Sequence, residues 1–140
     1  MKTSLFVFLF IAFGKLTYAQ KTKQSIDYQF HREGKTYYAF ELFKQANGSD
    51  TGELMLNFTS SANFKKVDKI LIKTAQTEFK LKFKVRAEQI HSDNPQQVFF
   101  PIVFDYKPLA EKKLDCEAWI IFKIDDGSSL TLPFNPCLIK

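Results

Sequence analysis

A stretch near the middle of the chain has the most regular alternation of apolar and polar residues. Apolar side chains occupy positions 79, 81, 83, 85 and 87, and the residues between them are Lys80, Lys82, Lys84 and Arg86. Successive side chains of a β-strand point to opposite faces, whereas a helix would spread these residues around its circumference. The pattern therefore predicts a strand with one core face and one cationic face.

The same two-residue period recurs along most of the chain. Further strands are predicted over 25–31, 36–44, 54–58, 67–74, 98–104, 116–124 and 129–134. Only 106–115 could form a short helix, because Pro108 is tolerated at a first helical position. About eight strands with short connections are typical of an all-β, antiparallel two-sheet β-sandwich of immunoglobulin-like architecture. A small up-and-down β-barrel is the alternative.

Two of these strands carry specific expectations. In the first strand, Ile26, Tyr28 and Phe30 lie on one face, and Asp27, Gln29 and His31 lie on the other. In the segment 98–104, Pro101 interrupts an otherwise apolar sequence. Proline has no N–H to donate to a neighbouring strand, so it predicts an edge strand or a bulge.

The last two strands allow two registers. A two-residue turn at Asp126-Gly127 would place Cys116 directly opposite Cys137. A three-residue turn with Gly127 in the left-handed conformation would instead align apolar residues such as Phe122 and Leu130 on one face. We favour the second register, and we expect an irregularity near the prolines that follow to bring the cysteines together.

The N-terminal residues have the order of a secretory signal peptide. Lys2 precedes an apolar run from Leu5 to Phe13, and Ala19 completes a cleavage site, so residues 1–19 are predicted to be removed. The run is shorter than the about 20 residues that a membrane-spanning helix needs. Residues 20–140 then form a single β domain, secreted or periplasmic, with no membrane span.

Export changes how charge and cysteines are interpreted. Loss of Lys2 and Lys15 lowers the formal charge from +5 to +3, and an exported protein is not expected to bind nucleic acid. In an oxidising compartment Cys116 and Cys137 are expected to form a disulfide. The sequons at Asn47 and Asn57 matter only in a host that glycosylates exported proteins.

Residues that could carry catalysis are sparse. His31 and His91 lie in no recognisable motif, and His91-Ser92-Asp93 is a polar loop, because triads are recognised by geometry across a fold. The sequence has no glycine-rich phosphate loop and no zinc-spaced pair of cysteines or histidines. Asp125 and Asp126 are explained by a turn. We therefore expect no enzyme activity, no metal and no cofactor.

The first candidate binding surface is the set of cations in the central strand. Residues two apart on a strand are separated by about 7 Å, so the cations would form a positive ridge. The ridge would consist of Lys80, Lys82, Lys84 and Arg86. Such a ridge can steer an acidic partner, although charged residues also protect sheets from edge-to-edge pairing.

The second candidate surface is an aromatic platform formed by Tyr37 and Phe43, on the less apolar face of the second strand. It could bind a sugar ring or a partner chain, unless a second sheet covers it. Since no catalytic constellation is present, we expect a protein-binding module. A glycan-binding or lipid-binding protein is the alternative, lipid above all if the sheet closes into a barrel, and an enzyme is the third candidate.

Overall fold

The computed structural model of the chain describes residues 23–45, 52–86 and 96–139. The predicted signal peptide, the sequon at Asn47 and the loop around His91 lie outside these residues. The described strands form two antiparallel sheets that are not closed into a barrel. The predicted all-β sandwich is therefore confirmed, and the barrel alternative is wrong.

Nine described strands follow one another along the chain. They are β1 (Lys23–Glu33), β2 (Thr36–Gln45), β3 (Glu53–Ser60), β4 (Val67–Lys73), β5 (Glu78–Leu81), β6 (Phe83–Val85), β7 (Val98–Asp105), β8 (Ala118–Ile124) and β9 (Ser129–Phe134). One sheet has the order β1-β2-β3-β7-β6 and the other β5-β4-β8-β9. Helix α1 (Lys107–Glu111) is the short helix predicted, and a 3-10 helix, Pro136–Leu138, follows β9.

Phenylalanine side chains hold the two sheets together. Phe58 of the five-stranded sheet stacks on Phe122 of the four-stranded sheet with ring centroids 4.1 Å apart, and both side chains are fully buried. The ring centroid of Phe40 lies 6.4 Å from those of Phe122 and Phe134. Each such ring removes about 150–250 Å² of surface from water. The cluster therefore buries the inner face of each sheet in the core.

The strand predicted over 79–87 is in fact two strands in different sheets. Leu81 is buried at the end of β5, where it pairs with Ile70 of the four-stranded sheet. Phe83 begins β6 and pairs with Phe104 of the five-stranded sheet. The exposed Lys82 joins the two strands. The alternation continues through the crossing because both sheets bury the same set of alternate residues against one core.

The prediction that Pro101 marks an edge strand or a bulge is wrong. Pro101 lies in β7, which has β3 on one side and β6 on the other, and the β3–β7 register runs through it without a bulge. Its carbonyl oxygen accepts the Arg86 N–H at 2.9 Å, so its backbone polar groups face the β6 side. Strand β6 ends at Val85, just before Arg86, which lies opposite Pro101. The missing proline N–H therefore costs one hydrogen bond, at a place where the pairing of β6 with β7 has already ended.

The final hairpin adopts the register that we favoured. Phe122 pairs with Leu130, and Gly127 has a φ of +87° in a three-residue turn. Asp126 accepts hydrogen bonds from the Ser128 hydroxyl and from the Ser128 N–H, and these bonds hold the pKa of Asp126 below its usual value. The hairpin therefore adopts the register that aligns apolar residues across its two strands.

The disulfide is also confirmed. Cys116 and Cys137 are joined with their Cα atoms 5.1 Å apart. Continuing the β8–β9 register would bring Cys116 opposite a proline rather than Cys137. The 3-10 helix corrects this offset, and the Asn135 side chain caps it by accepting the Cys137 N–H at 3.0 Å.

Replacing Gly127 with Ala should destabilise the fold by about 1–2 kcal/mol, the cost of a left-handed conformation for an ordinary residue. A Cβ at Gly127 would meet nothing within 4 Å, so the cost comes from the backbone alone. Gly127→Asn should cost less, because asparagine tolerates this conformation. Urea unfolding of the three proteins tests this. Equal losses for Ala and Asn would contradict it.

Replacing both cysteines with Ser should lower the free energy of unfolding by about 3 kcal/mol on the chain-entropy model. The cysteines are 21 residues apart, so the bond closes a loop of moderate length in the unfolded chain. Guanidinium unfolding of the oxidised parent, the reduced parent and the double Ser variant measures the loss. The reduced parent and the variant should agree, and a loss well under 1 kcal/mol in both would refute the account.

Candidate functional site

The residues of the predicted cationic ridge lie on different sheets of the sandwich. Lys80 lies on the outer face of the four-stranded sheet, opposite Leu71, whereas Lys84 lies on the outer face of the five-stranded sheet, opposite Val103. Arg86 is partly buried, and Lys82 is at the crossing between the sheets. The continuous ridge is not formed, because the chain changes sheet in the middle of it.

Lys80 instead belongs to a group of lysines from three neighbouring strands. In β4 and β8 the inward positions are fully buried, among them Ile70, Ile72, Ile120 and Phe122, so the alternate residues face outward. We call the resulting surface the cationic face. It consists of Lys69, Lys73, Lys80 and Lys123 around Leu71, Trp119 and Ile121.

Two lysines of the cationic face lie directly opposite each other. Lys69 of β4 pairs in register with Lys123 of β8. Like charges in directly opposed positions of an antiparallel pair are destabilising. Lys123 Nζ donates to Ser129 Oγ at 2.6 Å, and Lys69 forms no ion pair with a carboxylate of the described residues. The repulsion between the two ammonium groups is therefore not balanced by a described acid.

Two acidic residues lie near the cationic face, and they offset only part of its charge. Glu78 of β5 lies opposite Lys73 of β4. Asp68, at the irregularity in β4, forms an ion pair with Lys66 at 3.2 Å. The cationic face therefore keeps an excess of positive charge, which favours an anionic ligand from outside the chain.

Trp119 gives this charged surface an apolar anchor. Its side chain is 49% exposed, and its register partners are Lys73 on β4 and Pro133 on β9. A cleft of about 230 Å³ lies beside it, lined in part by Gln29 and Asn135. Tryptophan is enriched among the residues that contribute most to binding at protein interfaces.

The predicted aromatic platform is not formed. Phe43 is 2% exposed and clusters with Met55 and Val103 on the outer face of the five-stranded sheet. Because Phe43 is buried, it cannot contact a ligand. It is not covered by the four-stranded sheet, since that sheet packs on the other face of the five-stranded sheet. Tyr37 is half-buried, donates its hydroxyl to Gln97 Oε1 at 2.9 Å and stacks on Phe30 at 5.8 Å between ring centroids.

Strand β1 turns polar side chains inward over most of its length. Gln29 pairs with the core residue Phe40, whereas Tyr28 and Phe30 face outward and are 60% and 51% exposed. Ile26, at the register shift between Ser25 and Asp27, still packs against the core and so does not share their face. The alternation of a strand shows which residues share a face, but not which face is covered or where a register shift interrupts it.

The carboxylates of Asp125 and Asp105 accept backbone hydrogen bonds next to strand ends. Asp125 Oδ1 accepts the Lys65 N–H at 3.3 Å, and Asp105 Oδ1 accepts the Lys107 N–H at 2.9 Å. Among residues 23–45, 52–86 and 96–139, no three His, Cys, Asp or Glu side chains gather into a possible metal site. No helix in this part of the chain has the length and apolar composition to cross a membrane.

Comparison with known proteins finds no match: no family model, no curated protein and no solved structure is significantly similar to the chain. We therefore infer function from the geometry of the surfaces described above.

Replacing Lys69 with Glu should raise the free energy of unfolding by about 0.2–1 kcal/mol, because it puts opposite charges in a directly opposed pair with Lys123. Lys84→Glu is the matched control on the other sheet, and it should change stability by about 0.5 kcal/mol or less. Urea unfolding at low and high salt measures both. A loss of stability for Lys69→Glu would show that the two lysines do not repel each other.

Proposed function

We propose that the chain is an exported, non-catalytic protein-binding domain and that its cationic face engages an acidic surface of the partner. The observation that carries this proposal is the directly opposed pair of Lys69 and Lys123, on the same face as the exposed Trp119 and separated from it by Leu71 and Ile121. The pair weakens the isolated sheet, and an acidic partner placed over it would turn the repulsion into attraction for both lysines.

The two kinds of residue on the cationic face would contribute differently to binding. Exposed ion pairs are individually worth about 0–1 kcal/mol, so the lysines would mainly steer the partner and fix its orientation. Burial of Trp119, together with the partly exposed Leu71 and Ile121, would supply most of the affinity. The partner therefore has an acidic rim around an apolar centre.

The proposed location is the periplasm or the extracellular medium. The disulfide between Cys116 and Cys137 supports it, because such bonds persist mainly in oxidising compartments. The sequence pattern of residues 1–19 supports it independently.

The test captures proteins from an exported fraction on the immobilised parent and on two charge-reversed variants. Lys69→Glu with Lys123→Glu keeps a like-charge pair and therefore a similar stability, while it reverses the charge of the cationic face. Lys84→Glu changes charge on the opposite sheet and is the control. Acidic proteins should be captured by the parent and by the control, less at higher salt, and lost by the double variant. Equal capture by all three proteins would refute the proposal.

A glycan is the second candidate ligand, because the cleft beside Trp119 combines an aromatic ring with the polar side chains of Gln29, Glu117 and Asn135. A carbohydrate array separates the two candidates. Glycan binding would be lost in Trp119→Ala and kept in the charge-reversed double variant, whereas acidic-protein binding would be lost in both.

A further inference from the structure

Strand β1 is an edge strand with one unpaired side. It pairs with β2 over its whole length, from Lys23 opposite Gln45 to Glu33 opposite Thr36. No other described strand pairs with its outer side. An edge strand of this length can accept a further strand by main-chain hydrogen bonds.

The hydrogen bonds of β1 show which backbone groups face outward. The Tyr28 N–H donates to the Asp27 carboxylate at 2.9 Å, so we assign it to the free edge. The N–H and C=O of one residue in an antiparallel strand point the same way, and the direction alternates along the strand. The backbone groups of Tyr28, Phe30 and Arg32 therefore face the free edge.

We propose that β1 pairs antiparallel with β1 of a second copy of the chain, centred on Gln29, and that the protein is a symmetric dimer joined through this edge. In this register Tyr28 lies opposite Phe30 of the second copy, and the backbone groups that face outward form the hydrogen bonds between the copies. The dimer interface uses the free edge of β1 and none of the lysines of the cationic face, although Gln29 also lines the cleft beside Trp119.

In this register β1 is self-complementary, and this favours a second copy of the chain as the pairing strand. The two exposed aromatic residues, Tyr28 and Phe30, meet as cross-strand aromatic pairs, once on each side of the symmetry axis. On the inner face Asp27 lies opposite His31 of the second copy, and an imidazole N–H can donate to a carboxylate. Gln29 lies opposite its own copy and can exchange amide hydrogen bonds with it. A twofold interface requires this kind of self-complementary sequence.

A register centred on Phe30 and registers centred on other odd positions are less favourable. A register centred on Phe30 would place Asp27 opposite Glu33 and so create two like-charge pairs. A register centred on an odd position other than 29 would separate the exposed aromatic rings of Tyr28 and Phe30 from each other. The register shift between Ser25 and Asp27 limits pairing on the N-terminal side.

In the proposed dimer the Asp27 carboxylate would change its hydrogen-bond partner. In the isolated chain Asp27 also accepts the Gln29 amide, at 3.1 Å, besides the Tyr28 N–H. In the dimer the Tyr28 N–H would donate to the Phe30 carbonyl of the second copy, and the Asp27 carboxylate would turn to His31. The Asp27 carboxylate therefore covers the edge of the monomer and joins the interface of the dimer.

The experiment is sedimentation analysis of the exported protein over a range of concentrations, with three variants at positions 27 and 31. His31→Glu should weaken the dimer by about 2- to 30-fold, because each dimer would then contain two like-charge pairs with Asp27 of the other copy. Asp27→Lys should also weaken it, because each His31 imidazole N–H would lose its carboxylate acceptor. The double variant restores opposite charges across the interface and should dimerise like the parent. Lys69→Glu, on the cationic face, should leave the dimer unchanged.

Circular dichroism of each variant keeps the result interpretable, since a folded variant retains the β spectrum. A parent that sediments as a monomer at every concentration would overturn the proposal. So would a folded double variant that stays monomeric, or single variants that dimerise like the parent. Recovery of the dimer in the double variant alone would support both the edge and the register.

Discussion

The stack of Phe58 on Phe122 is the contact on which the rest of the structure depends. It joins one sheet to the other at 4.1 Å between ring centroids, and Phe40 and Phe134 extend the same cluster. These rings fill the space between the sheets over most of the described residues. The proposed binding surfaces therefore lie on the outer faces and at the edges of the sheets.

The crossing at Lys82 decides how charge is distributed over those outer faces. It sends Lys80 to the four-stranded sheet, beside the lysines of β4 and β8, and Lys84 to the opposite side of the sandwich. One face thereby gains a concentrated positive charge around Trp119. The other sheet ends at β1, whose exposed residues Tyr28 and Phe30 form an apolar edge.

The two-residue period predicted the strands and the hairpin register well, because apolar alignment is a local property. It could not show that 79–87 crosses between sheets, since both sheets bury the same alternate positions against one core. It also could not show that β1 turns Tyr28 and Phe30 outward. The cationic face was missed because its lysines come from three strands. A signal was present in Lys69 and Lys73, which flank the apolar centre of β4.

Site-specific photo-cross-linking can show whether the proposed partner lies on the cationic face. A photoreactive residue at Ile121, in the middle of that face, should cross-link to an acidic partner in the exported fraction. The same residue at Lys84, on the opposite side of the sandwich, should not. Cross-linking of the same partner from position 84 and not from position 121 would contradict the account.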